Sequence, residues 1–166
     1  MQRRFFQAAI LAVATTCFVP AHAQGSPSGN IELRNVAEVE TEVKTPDGKV
    51  EKKRVAAQKA APGTEVIYTS IFRNISAKPA GNLAVVNPIP ANTTYVGGSV
   101  FGDNTEITFS ADGGKTWAPL DKLKVHGADG KDRPAGVTEI THIRWVYRGE
   151  LPPARQGSVG FRVNVN

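Results

Sequence analysis

Few side chains of this sequence carry the chemistry of a catalyst or of a transition-metal ligand. Only two of its three histidines, His126 and His142, lie outside the apolar N-terminal segment, so a three-histidine metal site cannot form beyond it. Ser110, Asp112 and His142 supply the groups of a nucleophilic catalyst, but no Gly-x-Ser-x-Gly turn surrounds the serine. The sequence therefore predicts a protein that is not an enzyme and that binds no cofactor.

The segment from Ser110 to Trp117 is the most motif-like part of the chain. It matches the Asp-box pattern Ser-x-Asp-x-Gly-x-Thr-Trp, which occurs on the blades of sialidases and related glycan-active propellers. A propeller needs at least about four such blades, and one copy in a chain of this length cannot supply them. We therefore predict a structural turn in which Asp112 accepts main-chain N–H bonds and Trp117 packs beneath.

Acidic residues in two predicted loops suggest one possible metal site. Asp129 and Asp132, together with Asp103 or Glu106, could supply oxygen ligands to a calcium ion. Their spacing matches no calcium-binding loop, and Asp and Gly are common in turns for other reasons. The prediction is therefore that no metal is bound.

Basic residues are concentrated after a predicted turn at Thr45 to Gly48. They could bind an anionic polymer, lipopolysaccharide or a surface glycan. Alternatively, they protect the edge strand of a hairpin from pairing with other chains, and this is the interpretation that we prefer. The residues are Lys49, Lys52, Lys53, Arg54 and Lys59.

The overall charge gives only weak evidence about partners. The chain has 20 Lys and Arg against 15 Asp and Glu, a net charge of +5. Loss of Arg3 and Arg4 with an N-terminal segment would lower this excess to three. So mild an excess does not indicate nucleic-acid binding, and none is predicted.

The pattern of apolar residues predicts an all-β fold. From Pro62 to Pro90 the sequence reads as a strand, a turn and a second strand that ends at two prolines. Apolar residues lie on both faces of the first strand, which predicts a central position in a sheet. Further strands are predicted at 39–44, 50–55, 93–101, 137–148 and 157–166, with a possible short strand at 121–125 and a loop at 127–136. Trp145 is the predicted core tryptophan, with Trp117, Phe72, Tyr68 and Phe161 inside or at the rim of the core.

Eight or nine short strands and no long helix favour an antiparallel β-sandwich over a closed barrel. The same region resembles the bacterial conserved-repeat family named domain of unknown function 11. The resemblance rests on Pro62-Gly63, Asn87-Pro88-Ile89-Pro90 and Tyr95 to Ser99, and continues through Ile143-Arg144-Trp145 to the last strand. Pro153-Ala154-Arg155 departs from the Pro-Gly turn of that family. The resemblance implies an immunoglobulin-like sandwich in an exported or surface protein, without shared catalytic residues.

The N-terminus has the pattern of a secretory signal peptide at residues 1–23. Arg3 and Arg4 precede an apolar run that ends at Val19, and Ala21-His22-Ala23 fits a cleavage site. The run is shorter than the roughly 20 residues of a membrane span. Cys17, the only cysteine, would be acylated in a lipoprotein, but its neighbours fit that pattern poorly. We predict a flexible leader at 24–30, one β-sandwich domain at 31–166 with an N-terminal hairpin, and no transmembrane segment after cleavage.

These features predict export to the periplasm, the cell surface or the medium of a Gram-negative-type bacterium. We expect a non-enzymatic structural or protein-interaction module whose partner is a protein of the envelope or surface. Exposed edge strands would allow a partner to add a strand. The alternative is a small glycan-binding module that uses Trp117, Tyr95 or Tyr147 as a stacking platform and the basic hairpin as an anion site.

Overall fold

The structure is a computed structural model that describes residues 30–166, and these residues form an all-β antiparallel sandwich. The predicted signal peptide, most of the leader and Cys17 lie outside the described residues. No helix among residues 30–166 is long and apolar enough to cross a membrane.

Eleven strands form the fold, more than the eight or nine predicted, because the extra ones are only two or three residues long. They are β1 (Ile31–Lys44), β2 (Val50–Ala56), β3 (Glu65–Asn74), β4 (Ala84–Pro88), β5 (Thr93–Tyr95), β6 (Phe101–Gly102), β7 (Thr105–Ser110), β8 (Lys124–His126), β9 (Asp132–Pro134), β10 (His142–Tyr147) and β11 (Gln156–Val165). Two short 3-10 helices lie at Leu120–Lys122 and Val137–Glu139.

The strands form two main sheets. The larger sheet has the order β2-β1-β3-β11-β5, with β6 also paired to β11, and the smaller sheet has the order β4-β10-β7. Strands β8 and β9 form a separate two-stranded hairpin. Strand β8 overlaps the possible short strand predicted at 121–125, whereas β9 lies where a loop was predicted from Gly127 to Gly136. Residues 57–61, which follow β2, are irregular.

Strand β3 lies in the middle of the larger sheet, as its two apolar faces predicted. It pairs with β1 on one side and with β11 on the other. Val66 and Phe72 are buried on the face toward the smaller sheet, and Ile67 is buried on the opposite face. The second strand of the predicted pair, β4, belongs to the smaller sheet, so the chain crosses between sheets after β3.

Three aromatic pairs join the two sheets and show which strands face each other. They place β10 over β3 and β11, and β7 over β5. Trp145, the predicted core tryptophan, is 1% exposed, and its indole Nε1 donates to the carbonyl of Phe101 at 3.0 Å. The pairs are Trp145 with Phe161 (centroids 6.1 Å apart), Phe72 with Tyr147 (5.8 Å) and Tyr95 with Phe109 (5.8 Å).

A chain of side-chain hydrogen bonds fixes the position of β4. The Asn87 amide donates to Ser70 Oγ at 2.8 Å, and Ser70 Oγ donates to Asn35 Oδ1 at 2.6 Å. This chain runs from β4 across β3 to β1, so β4 lies over β3 at the side nearest to β1. In the part of the chain that the structure describes, the smaller sheet therefore has no strand over β1 or β2.

The inward side of β1 and β2 consequently has no second sheet over it among the described residues, although Ala37 and Val39 still pack against the core, and we name it the uncovered face. The register with β3 turns Leu33, Ala37 and Val39 of β1 toward this side. Leu33 is 52% exposed, and Val43 and Val55 farther along the hairpin are 42% and 38% exposed. An apolar surface of this kind is normally covered in a sandwich by the second sheet.

Asn74 fixes the turn after β3. The residue is fully buried, and its amide donates to the carbonyls of Lys78 at 2.7 Å and Leu151 at 2.8 Å. The side-chain oxygen, Oδ1, accepts from the main-chain amide and the hydroxyl of Ser76. Each polar atom of this buried side chain is therefore paired, and the loop before β4 is joined to the loop before β11.

Candidate functional site

The predicted basic patch lies on the β1–β2 hairpin, where acidic residues of β1 face basic residues of β2. Arg54 lies opposite Glu40, with Nε and Oε1 3.3 Å apart, and Lys52 lies opposite Glu42. Lys49 contacts Asp47 at 3.4 Å. Between Glu38 and Lys59 the chain carries six basic and five acidic residues. The hairpin is therefore nearly balanced in charge and has no uniform basic surface.

Lys53 lies on the other side of the hairpin. It is opposite Thr41, and it belongs to the face that carries Val43 and Val55. Lys59 follows β2 in an irregular segment and is exposed. The five predicted basic residues thus point in different directions and do not converge on one ligand-sized site.

Glu40 also ties the hairpin to the body of the sandwich. Arg162 of β11 donates to Glu40 at 3.0 Å and to Glu65 at 2.6 Å. The hydrogen bond from Arg162, supported by Arg54, lowers the pKa of Glu40. This carboxylate therefore has a structural role at the base of the hairpin.

The Asp112 turn has the geometry that the motif predicted. The carboxylate accepts from the amides of Lys115 at 3.1 Å and Thr116 at 3.0 Å. It also accepts from the hydroxyls of Thr116 and Ser110, both at 2.7 Å. The hydroxyl of Thr116, then its amide and the other donors, hold the pKa of Asp112 well below its usual range.

These bonds leave Ser110 without the geometry of a nucleophile. Ser110 is fully buried, and its hydroxyl also accepts from the amide of Gly114 at 2.9 Å. The ring of His142 instead meets the hydroxyl of Thr141, with Nδ1 and Oγ1 3.2 Å apart. The described residues therefore do not arrange Ser110, Asp112 and His142 as a catalytic triad.

The acidic residues considered for calcium have other contacts. Asp132 meets His126 at 3.1 Å, and Asp129 accepts from the amide of Lys131 at 3.2 Å. Within residues 30–166, no group of three His, Cys, Asp or Glu side chains is placed to hold a metal ion.

Trp117 forms a small cluster on the outer face of the smaller sheet. The guanidinium carbon of Arg144 lies 4.7 Å from the centre of its ring, and His142 meets the ring edge-on at 6.5 Å. Thr108 accepts from Arg144 Nε at 3.1 Å. Trp117 is partly buried, and one face of its indole is occupied by an arginine that sequence reasoning did not single out.

The other two aromatics proposed for a platform lie elsewhere. Tyr95 is 2% exposed, and burial raises the pKa of its phenol, so the expectation that it stacks on a glycan is wrong. Tyr147 is partly buried on the inward face of β10, edge-on against Phe72. Trp117 and Tyr147 therefore lie on opposite faces of the smaller sheet and form no shared platform.

A site that the sequence analysis did not select is the free edge of β4, which has β10 as its one strand partner within residues 30–166. Odd-numbered residues of this segment direct their main-chain groups toward β10. Because the direction alternates along an antiparallel strand, Ala84, Val86 and Pro88 direct theirs outward. We name these three residues the β4 edge. The bonds that fix the alternation are Tyr147 N to Leu83 O and Ile89 N to Thr141 O, both 2.8 Å.

A groove of about 220 Å³ lies beside the β4 edge. Tyr68 and Phe161, stacked with centroids 5.6 Å apart, contribute to its lining. Asn35 of β1 and Pro88 of β4 also line it. A sequence signal for this edge existed, because the prolines at positions 88 and 90 exclude a central strand.

No family model matches the chain, and no curated protein matches it.

Proposed function

We propose that this protein is a non-enzymatic exported β-sandwich that acts by contact with another protein of the periplasm or cell surface. One observation carries the proposal: the larger sheet is two strands wider than the smaller one on the side of β1, which leaves the uncovered face beside an unpaired sheet edge. Exposed apolar surface next to unpaired main-chain groups is typical of a protein contact. The signal-peptide pattern and the resemblance to domain of unknown function 11 support export.

The test is to cross-link the protein in the intact envelope of its host and to capture it through a C-terminal tag. We expect one envelope or surface protein to be recovered at a constant ratio to the tagged protein. Mass spectrometry of the tagged protein itself should find Gln24 as its first residue. Recovery of the protein alone, or a start at Met1, would contradict the proposal.

A glycan-binding function is the second candidate, and the contact between Trp117 and Arg144 favours it. The indole face that Arg144 leaves free offers a sugar-stacking surface, and the guanidinium, which bonds to Thr108 through Nε, forms no ion pair within residues 30–166. A glycan array separates the two functions. Saturable binding that is lost in Trp117→Ala and kept in Trp117→Phe would favour the glycan, whereas an array without binding favours a protein partner.

A further inference from the structure

We propose that an extended segment of the partner protein adds to the β4 edge as a fourth strand of the smaller sheet and covers the uncovered face of β1. This inference rests on the proposed protein-interaction function. It adds the place of contact and the chemistry of the partner. A partner that binds elsewhere would refute it and leave the proposed function intact.

The position of such a strand follows from the layers of the sandwich. Neighbouring strands lie about 4.8 Å apart, so a strand added beyond β4 lies over β1. Val85 of β4 and Phe72 of β3 line the same small internal cavity, and Leu33 is the partner of Phe72 in β1. A residue that the new strand places beside Val85 therefore covers Leu33.

The main chain of the β4 edge specifies an extended partner. Ala84 and Val86 each offer one N–H and one C=O, and Pro88 offers only a carbonyl. A backbone with the same two-residue repeat satisfies these groups, as in other cases of strand addition. The three side chains are uncharged, and Val86 is 46% exposed, so no charge at the β4 edge itself repels an incoming strand.

The side chains below the new strand specify its apolar face. The residues of β1 that point toward the uncovered face carry no charge over the whole strand. The partner segment should therefore have apolar residues at every second position, with polar residues between them facing solvent. The inward residues are Ile31, Leu33, Asn35, Ala37, Val39, Thr41 and Val43.

A second copy of this chain does not fit the same place. If β4 strands of two copies paired with each other, their larger sheets would lie in one layer. The β1 and β2 strands of both copies extend beyond β4 on that side and would occupy the same space. Only a narrow segment, one or two strands wide, can enter.

The edge of the larger sheet at β2, on the β1–β2 hairpin, is less suitable for strand addition than the β4 edge. The bond from Ala57 N to Ala37 O shows that odd-numbered residues of β2 direct their main-chain groups toward β1. Even-numbered residues, which include Lys52 and Arg54, therefore direct theirs outward. Charged side chains on an edge strand oppose strand addition. This contrast gives a matched control, because proline at position 86 or 52 removes an outward N–H without removing a bond within its sheet.

The experiment selects binders from a phage-displayed library of peptides of about nine residues with apolar residues at every second position, against the exported protein. We expect the selected peptides to slow amide exchange at Ala84 and Val86. Calorimetry should show affinity at least about tenfold weaker for Val86→Pro and unchanged for Lys52→Pro. Far-UV circular dichroism checks that both variants are folded.

A second pair of variants tests the apolar face and does not depend on proline being tolerated. Leu33→Glu places a charge beneath the added strand and should weaken binding at least about tenfold, whereas Glu32→Lys, on the other face of β1, should not. A library that yields no binder overturns the proposal. So do peptides that bind Leu33→Glu as tightly as the unmodified protein, or peptides that lose affinity only for Lys52→Pro.

Discussion

At the scale of single residues, Asp112 shows how a motif associated with sugar-active enzymes serves here as a turn. Four donors surround one exposed carboxylate, and each comes from within four residues of it. Such a local network can be read from the sequence because the spacing of Ser110, Asp112 and Thr116 already brings the groups together. The four bonds to the carboxylate therefore come from the turn itself, and a contact from a distant part of the chain, Gly113 N to Thr141 Oγ1 at 3.1 Å, does not involve the carboxylate.

The lowered pKa of Asp112 makes a prediction about pH. A carboxyl group whose pKa is lower in the folded state adds stability above its unfolded pKa, near 4, and loses that contribution as pH falls toward the folded value. The charge-dependent loss of stability caused by Asp112→Asn should therefore be full at pH 6 and should shrink below pH 4. Urea unfolding at pH 6, 4, 3 and 2 measures it.

Asp103→Asn is the control, because this exposed carboxylate lies in a turn without hydrogen bonds to its side chain among the described residues. It shows whether removal of any surface carboxylate produces the same trend. A stability loss in Asp112→Asn that stays constant from pH 6 to pH 2 would show that the charge of Asp112 has no part in holding the turn.

Tyr95 marks the limit of residue-level prediction. Alternation around Tyr95 indicated a strand, and the residue does lie in β5, but its exposure depends on the partner across the sandwich. Phe109 of β7 covers the ring, and β7 reaches it only through pairing with β10. A contact between strands that are not neighbours in one sheet leaves no periodic signal in the sequence.

At the scale of elements, two glycines of β11 lie where neighbouring groups leave no room for a Cβ atom. A Cβ atom at Gly160 would meet the carbonyl oxygen of Tyr68 and the ring of Phe101, which lies across the glycine on the outer face. At Gly157 it would meet the ring of Phe72. The carbonyl of Tyr68 belongs to the main chain of β3, so it cannot rotate away from a side chain at position 160.

We therefore predict that Gly160→Ala destabilises the protein by about 1–3 kcal/mol, the usual cost of overpacking. Reduced freedom of the unfolded chain would favour alanine by only about 0.4–1 kcal/mol, so the clash should decide the sign. Chemical denaturation measures the difference. Ser158→Ala, exposed on the same strand and face, should change stability little; equal effects of the two variants would contradict the prediction.

The basic residues of β2 support a second prediction at this scale. If they protect the edge, replacing Lys52, Lys53 and Arg54 with threonine should increase self-association, because β2 strands of two copies could then pair without opposing like charges. Sedimentation velocity at increasing concentration measures this. Replacing Lys122, Lys124 and Lys131 with threonine removes the same charge elsewhere, and this control should not increase association.

Unchanged association in the β2 variant would remove the support for edge protection. Loss of binding to a soluble polyanion in the same variant, with binding kept in the control, would favour the anion-site interpretation. The two interpretations of this basic segment thus give different results in one pair of proteins.

Among the elements, the strands with regular alternation were predicted, whereas the short ones were predicted only in part: β8 overlaps the possible strand at 121–125, and β9 lies where a loop was predicted. In β10 and β11 alternating apolar residues point to the core, and Ile143 and Phe161 are buried as expected. Strands β8 and β9 have no such pattern, since they are three residues long and β9 contains Asp132 and Pro134. Their pairing depends on a turn rich in Asp and Gly, which reads equally well as a loop.

At the scale of the whole molecule, the offset between the sheets could not be predicted. The sequence indicates which segments are strands, but the uncovered face exists because β4 pairs with β10 and lies over β3. This choice is made by contacts between residues far apart in the chain. Because of the same offset, the described part of the molecule has a body in which the two sheets pack on each other and a hairpin that has no sheet over it beyond Val39.

The offset predicts that stability is distributed unevenly, which amide hydrogen exchange can test. Ladder amides of β3, β10 and β11 lie among buried residues and should exchange only through global unfolding. Amides of Glu51 and Lys53 also bond across the hairpin, yet both residues are exposed. We expect their protection factors to be at least about a hundredfold lower than that of Phe161, because opening the hairpin exposes little apolar surface.

The free amides of Lys52 and Arg54 give the reference for an unprotected strand position. Addition of a peptide selected for binding at the β4 edge should slow amide exchange at Val86 and in the part of β1 that lies beneath the added strand, since that strand covers both. Equal protection of Glu51 and Phe161 would show that the hairpin unfolds only with the whole sandwich. The uncovered face would then be a rigid surface rather than one that opens locally, and a partner would meet it already formed.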